Sequence, residues 1–427
     1  AHIDEIQFRR GELLFSLGLP AQADAAYSAI VAHGPSSPFY ERALYKLGWS
    51  QYKEGRYDAA VDTFLPLLGH KLSTAAQDSK TTGAAGTRGE EELIDDIQRG
   101  AVLSLAQLKG AQSLADYFAK HGEQNYEYLL YETLARLYLE QQRFEDAANV
   151  YHAFVARHPN HPLAPQFDSK ILDVYQQGHF YDLLQTAKED FINRYRPDAE
   201  YWAKNPGADR GDTLKQVREH LYELSRYFHA KAQHSKAAPD YQRAEHWYRL
   251  FLKSFPQDPL APEMHFLLAE LLYENHSYGE AAQEYEKVAY EFKDKDRATE
   301  AAYAAALAQE KVADSLTGIE HQAAVRQAST ALQRFAETFP GDSRAAAALS
   351  ISAQKLLKLH DLPQARQAAQ GLLDLKPEAN PEMRRDAWSI LGHSQFEEQH
   401  YSDAEQSYRQ ALALMAKDDD KRRGIEE

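Results

Sequence analysis

One small residue, alanine, returns down most of this chain in a fixed frame. A bulky residue stands three positions before it and usually another four after it: Tyr57–Ala60–Phe64, Phe144–Ala147–Tyr151, Tyr241–Ala244–Tyr248, Tyr278–Ala281–Tyr285 and Tyr401–Ala404–Tyr408. Spacings of three and four put each triplet on one face of a helix. Ala23 to Ala60, Ala244 to Ala281 and Ala328 to Ala365 are each 37 residues, about the length of one helical hairpin. Such a unit cannot bury its apolar face alone, so successive units must stack. The pattern therefore predicts an extended surface of repeated helices rather than a single catalytic cleft.

A stacked array also explains the length. At 427 residues the chain exceeds one ordinary core, but a repeat contacts only its neighbours and escapes that limit. Hydrophobic content of 44% and charged content of 26% are those of a folded chain. The formal net charge of −16 repels phosphate backbones, which argues against nucleic acid as a partner. No apolar run of membrane-spanning length occurs. There is no Cys, which excludes disulfides, thiolate metal sites and a Cys nucleophile. The start, Ala1-His2-Ile3-Asp4, reads as trimmed, with any export signal, lipid anchor or upstream repeats lying outside it.

The clearest unit holds Leu47-Gly48, then Gly55-Arg56-Tyr57, Ala60 and Phe64. The last unit matches it with Trp388, Leu391-Gly392, Phe396, Tyr401, Ala404 and Tyr408. These residues resemble the tetratricopeptide repeat motif: Leu-Gly in the middle of the first helix, Gly-x-Tyr at the turn, Ala and an aromatic on the second. Further copies fall near 4–37, 128–161, 164–197, 212–256 (with a lengthened first helix), 262–295, 298–341 and 346–379. Residues 92–122 form a helix pair without the motif. The resemblance implies an all-α, right-handed α-solenoid of about nine to ten hairpins. Gly48 and Ala60 are small so that the helices of a unit can approach closely, and Gly55 ends the first helix.

Three interruptions break the array. Residues 70–91 are small, polar and Gly-rich and read as a flexible loop. An insertion at 196–213 carries Tyr201 and Trp202, which either pack back on the repeats or meet a partner. Residues 314–322 lengthen the turn of the eighth hairpin. The chain divides into N-terminal repeats at 1–68, a flexible loop at 69–91, repeat-like hairpins at 92–195, the insertion at 196–213, C-terminal repeats at 214–418 and a charged tail at 419–427.

Motifs for chemistry are absent. Gly83-Ala84-Ala85-Gly86 lacks the Lys-Ser/Thr of a phosphate-binding loop. Of the 18 His, the densest groups are His158 with His161, and His220, His229 and His234; neither builds a metal site, and solvated or capping roles are expected. Glu90, Glu91, Glu92, Asp95 and Asp96 read as solvated faces or helix N-terminal charges. We expect no enzyme activity, no cofactor and no metal.

In the family the resemblance points to, the first helix of each repeat lines a concave face. The matching positions here are Arg42, Tyr45, Trp49, Tyr52 and Lys53; Glu132, Arg136 and Glu140; Phe266, Glu270, Tyr273 and Glu274; and His393 and Phe396. Aromatics flanked by charge suit a groove for protein segments. The Lys and Asn that clamp chaperone C-termini are missing, which argues against that role. The links Phe255-Pro-Gln-Asp-Pro-Leu-Ala-Pro262 and His158-Pro-Asn-His-Pro-Leu-Ala-Pro165 resemble those of Gram-negative envelope repeat proteins, of the Tol-Pal coordinator and outer-membrane-assembly lipoprotein type. That resemblance implies a periplasmic scaffold with other envelope proteins as partners. Binding of polysaccharide or peptidoglycan, and a cytosolic adaptor, are the alternatives.

Overall fold

The computed structural model of the protein describes residues 2–82, 88–292 and 295–415. Within these the regular structure is helical, with no strand. The helices follow as hairpins: α1 (His2–Ser16) with α2 (Pro20–Val31), α3 (Tyr40–Lys53) with α4 (Tyr57–Thr82), α5 (Arg88–Gln107) with α6 (Ala111–His121), α7 (Glu127–Glu140) with α8 (Phe144–Arg157), and α9 (Ala164–Gln177) with α10 (Tyr181–Tyr195). A short α11 (Glu200–Lys204) precedes α12 (Gly211–Ser235), which pairs with α13 (Ala238–Ser254). Then come α14 (Ala261–Glu274) with α15 (Tyr278–Glu286), the latter prolonged by a π-helical turn at Lys287–Glu291. The array ends with α16 (Lys295–Asp314) and α17 (Gly318–Thr338), α18 (Ala345–Lys358) and α19 (Leu362–Asp374), and α20 (Pro381–Glu397) and α21 (Tyr401–Ala413). The chain forms two compact units, Ala1–Val217 and Arg218–Glu427, divided within α12.

One turn is reused inside most hairpins. Two residues before the second helix the backbone enters the left-handed region, at Gly55 (φ 75°), Gln142 (φ 58°), His179 (φ 58°), His276 (φ 62°), His360 (φ 55°) and Gln399 (φ 65°). The next N–H then reaches back five residues to a carbonyl: Arg56 to Gln51 at 2.9 Å, Arg143 to Tyr138 at 2.8 Å, Ser277 to Leu272 at 2.8 Å and His400 to Gln395 at 2.8 Å. This satisfies carbonyls that the end of a helix leaves without partners. Gly55 thus does end α3, as its place in the motif implies, and elsewhere a residue with a side chain holds the same strained conformation.

The Ala–aromatic frame is the core. Ala60, Ala147, Ala244, Ala281 and Ala365 are fully buried. Phe64 is also fully buried, and it is held between glycines of two successive hairpins. A Cβ on Gly48 would lie 2.7 Å from its ring, and one on Gly100 would lie 2.6 Å from it. The same fit recurs between Gly11 and Tyr27 and between Gly392 and Tyr408. Burying such a ring stabilises by about 1.5–3 kcal/mol, and only a residue without a side chain lets the two helices close over it.

Two expectations need correction, and one open choice is decided. The flexible loop expected at 69–91 is helical over 69–82, as the end of α4, and over 88–91, as the start of α5; residues 83–87 lie outside the described residues. Extending a helix already nucleated costs little, and the polar residues that suggested a loop turn their hydroxyls onto the helix itself, Ser73 Oγ to the Gly69 carbonyl at 2.8 Å and Thr74 Oγ1 to the His70 carbonyl at 3.0 Å. In the eighth hairpin it is the second helix that is long: α17 has 21 residues, and the turn before it spans only 315–317. Tyr201 and Trp202 are buried; the Trp202 indole N–H donates to the Tyr195 carbonyl at 2.9 Å, so this part of the insertion packs back on its own unit. The expected tail at 419–427 lies outside the described residues.

Candidate protein-binding surface

In the first unit α3, α5 and α7 lie side by side, so the first helices of successive hairpins share one face. Tyr45 and Trp49 face the next hairpin rather than open solvent. The Tyr45 hydroxyl donates to Asp96 of α5, and the Trp49 indole N–H donates to the same carboxylate at 3.2 Å. Burial, then the hydrogen bond to Asp96, raises the Tyr45 hydroxyl to about 12. The Trp49 ring meets Tyr52 and Phe64 edge-on, each at 5.6 Å, and Tyr52 meets Tyr57 at 5.6 Å. Asp96 was expected on a solvated face; it instead ties two hairpins together. Arg42 sits over the Phe8 ring at 4.8 Å, and Lys53 is exposed.

The open part of this face lies one hairpin further on. A pocket of about 600 Å³ runs between α5 and α7. Val102, Leu103 and Leu137 supply its apolar lining, and Asp95, Arg99, Arg136 and Glu140 its charged lining. The four charged residues are exposed. Gln98 crosses the pocket, donating from Nε2 to the Leu129 carbonyl at 3.0 Å and to Thr133. Arg136 and Glu140 were identified from their place in the repeat; Asp95 and Arg99 were not, because their hairpin lacks the motif that marks the positions. Glu132 pairs with Lys170 of α9.

In the second unit Phe266, Glu270, Tyr273 and Glu274 are all partly buried. The Arg297 guanidinium lies 5.3 Å over the Phe266 ring, and Phe266 meets Tyr285 edge-on at 5.4 Å. Burial pushes the Glu270 carboxyl up; nearby Glu274 adds to this and Arg297 opposes it. Glu274 accepts from Gln233 Nε2 at 2.8 Å and lies 3.9 Å from His229 Nε2. His229 corrects a further expectation. It is buried rather than solvated, with Nδ1 3.0 Å from the Tyr248 hydroxyl, and burial lowers its pKa below the usual 6.5. His393 stands 3.7 Å from Glu397. Phe396, 55% exposed, meets Tyr401 at 5.4 Å.

Among the described residues no three His, Asp or Glu side chains are placed to hold a metal ion. No described helix is long and apolar enough to cross a membrane.

A tetratricopeptide repeat family model matches residues 8–70, 132–168 and 229–297. Among solved structures, the C-terminal part of a TPR repeat-containing protein from Cytophaga hutchinsonii is similar at 14% identity and a TM-score of 0.30, over 69% of this chain and 98% of that one. The TPR2AB domain of yeast Sti1 in its pHSP90 complex is similar at 12% identity and a TM-score of 0.22, over 83% and 98%. A tetratricopeptide repeat protein from Parabacteroides merdae is similar at 12% identity and a TM-score of 0.18, over 100% and 97%. No curated protein shows a sequence match to the chain. Over the three matched stretches, the chain carries tetratricopeptide repeats.

Proposed function

We propose that this protein is a non-enzymatic scaffold that binds protein segments along the face built by its first helices. The pocket between α5 and α7 carries the reading. It is open, has an apolar lining and holds two acids and two bases, which suits a peptide that buries an apolar side chain and pairs charges of both signs. A sugar-stacking role loses support in α3, where Trp49 and Tyr52 meet other rings and Trp49 bonds to Asp96. We place the scaffold in the periplasm of a Gram-negative envelope; the Pro-rich links support that placement.

The test is capture of partners from envelope extract by the wild type and by an Arg99→Glu/Arg136→Glu variant. Reversing two of the four charges should reduce recovery of the specific partner about tenfold or more, which is about 1.4 kcal/mol. An unchanged partner set would remove this surface from the account. Cell fractionation of the full-length gene product tests the compartment separately.

A further inference from the structure

Four exposed charges line the α5/α7 pocket, and among the described residues none of them forms an ion pair. Asp95 and Arg99 stand one turn apart on α5, and Arg136 and Glu140 one turn apart on α7. Elsewhere in the chain opposite charges at this spacing do close: Arg88 with Glu92 on α5 itself at 3.0 Å, Glu245 with Arg249 at 2.7 Å and Glu405 with Arg409 at 2.6 Å. Arg136 has only the Thr133 hydroxyl of its own helix, at 3.4 Å. Charges of both signs thus stand open around one apolar floor of Val102, Leu103 and Leu137.

Two contacts set the order of these charges along the groove. Toward the start of both helices Gln98 reaches the Leu129 carbonyl and Thr133. Past the end of α5, Gly110 lies against the Tyr138 hydroxyl. The two helices therefore run the same way, with Gln98 level with Tyr131. By the same offset Arg99 is level with Glu132, and Leu103 with Arg136. At about 1.5 Å per residue, the charges follow at intervals of about 6 Å: Asp95, Arg99, Arg136, Glu140. The groove reads acid, base, base, acid over about 18 Å. Gln98 adds a further demand. A carbonyl only accepts, so Nε2 is the end turned to α7, and Oε1 remains an acceptor without a partner among the described residues. An extended chain has backbone N–H groups to give it; a helix has used its own.

We infer, resting on the reading that this pocket binds protein segments, that its ligand is an extended segment with charges in the order base, acid, acid, base at alternate positions and apolar residues between them. An extended chain rises about 3.3 Å per residue and alternates its side chains. Every second residue therefore advances about 6.6 Å, close to the interval between the charges. The apolar side chains go down to Val102, Leu103 and Leu137. The two acids meet Arg99 and Arg136, and the outer bases meet Asp95 and Glu140. The reversed order sets like charges against each other at all four places, which is how an interface rejects a wrong partner. The order is the same read from either end, so it selects the segment without fixing its direction.

The experiment uses two labelled, end-capped peptides of identical composition, Lys-Leu-Asp-Leu-Asp-Leu-Lys and Asp-Leu-Lys-Leu-Lys-Leu-Asp. Binding to the 427-residue chain is followed by fluorescence anisotropy. The first peptide should bind the wild type about tenfold more tightly than the second, and the gap should narrow at high salt, which screens exposed charges. A fourfold exchange, Asp95→Arg/Arg99→Asp/Arg136→Asp/Glu140→Arg, should reverse the preference, which a variant that merely misfolds would not do. Equal binding of the two peptides, binding of neither, or a preference that the exchange leaves in place would each overturn the inference. Capture of partners from extract separates the two levels. If Arg99→Glu/Arg136→Glu loses the partner while the two peptides bind equally, the pocket stands and the charge order falls; if capture is unchanged, the pocket falls too.

Discussion

Gly48 and Phe64 carry the packing argument at the smallest scale. Any side chain at position 48 meets the Phe64 ring at 2.7 Å, and the ring cannot retreat, because Gly100 closes it from the next hairpin. Gly48→Ala should therefore destabilise the first unit by about 1–3 kcal/mol, the usual range for overpacking. Phe64→Ala should cost about 3–5 kcal/mol. Gly279, also helical, has nothing within reach of a Cβ, so Gly279→Ala should stabilise by about 0.5–1 kcal/mol. Thermal or denaturant unfolding of the three variants checks the set. Gln142, in the left-handed region at φ 58°, gives a further case: Gln142→Gly should stabilise by up to about 1 kcal/mol in the same assay. These positions were legible in the sequence where they fell inside the motif, as Gly48, Gly55 and Phe64 did. Gly100 was not, since its partner lies 36 residues away in a unit that looks different. Asp96 was not either, because a carboxylate in an acidic run looks solvated until the helix beside it is known to present Tyr45 and Trp49.

At the scale of the helix, the period of small residues located the hairpins well, including 92–122, which lacks the motif but has Leu114 and Phe118 fully buried on α6. Polar composition misled over 69–82, where α4 runs on with Ser73 and Thr74 bonded to its own carbonyls. A long second helix and a long turn also look alike when the extra residues are polar, which is why 314–322 was misread. Helix α12 holds a pH-sensitive point. His229 faces Tyr248 on α13 and Glu274 on α14, with Gln233 beside it on its own helix and Lys236 nearby. Burial favours the neutral ring; Glu274 opposes this and Lys236 adds to it. The unfolded chain thus binds a proton more readily than the folded one. The contribution of this group is full above about pH 6.5 and is lost as pH falls below it, through the lower folded pKa. Protection factors in α12 and α13, which correct for the intrinsic pH dependence of amide exchange, should fall as the pH drops from 7.5 to 5.5, and a His229→Gln variant should flatten that dependence. An equal response in the variant would assign it to other groups.

Across the whole chain, each hairpin draws its stability from its neighbours. Loss of Phe64 should therefore loosen α3 to α5 in hydrogen exchange while α18 to α21 keep their protection. The net charge of −16 does not prevent a mixed-charge site, because the α5/α7 pocket balances Asp95 and Glu140 with Arg99 and Arg136. The most direct test of the central claim is site-specific photo-crosslinking in cells. A photoreactive residue placed at Arg136, on a first helix, should capture a protein partner; the same residue at Asn149, on the second helix of that hairpin, should not. Capture from position 149 alone, or from neither position above background, would contradict the assignment of binding to the first-helix face.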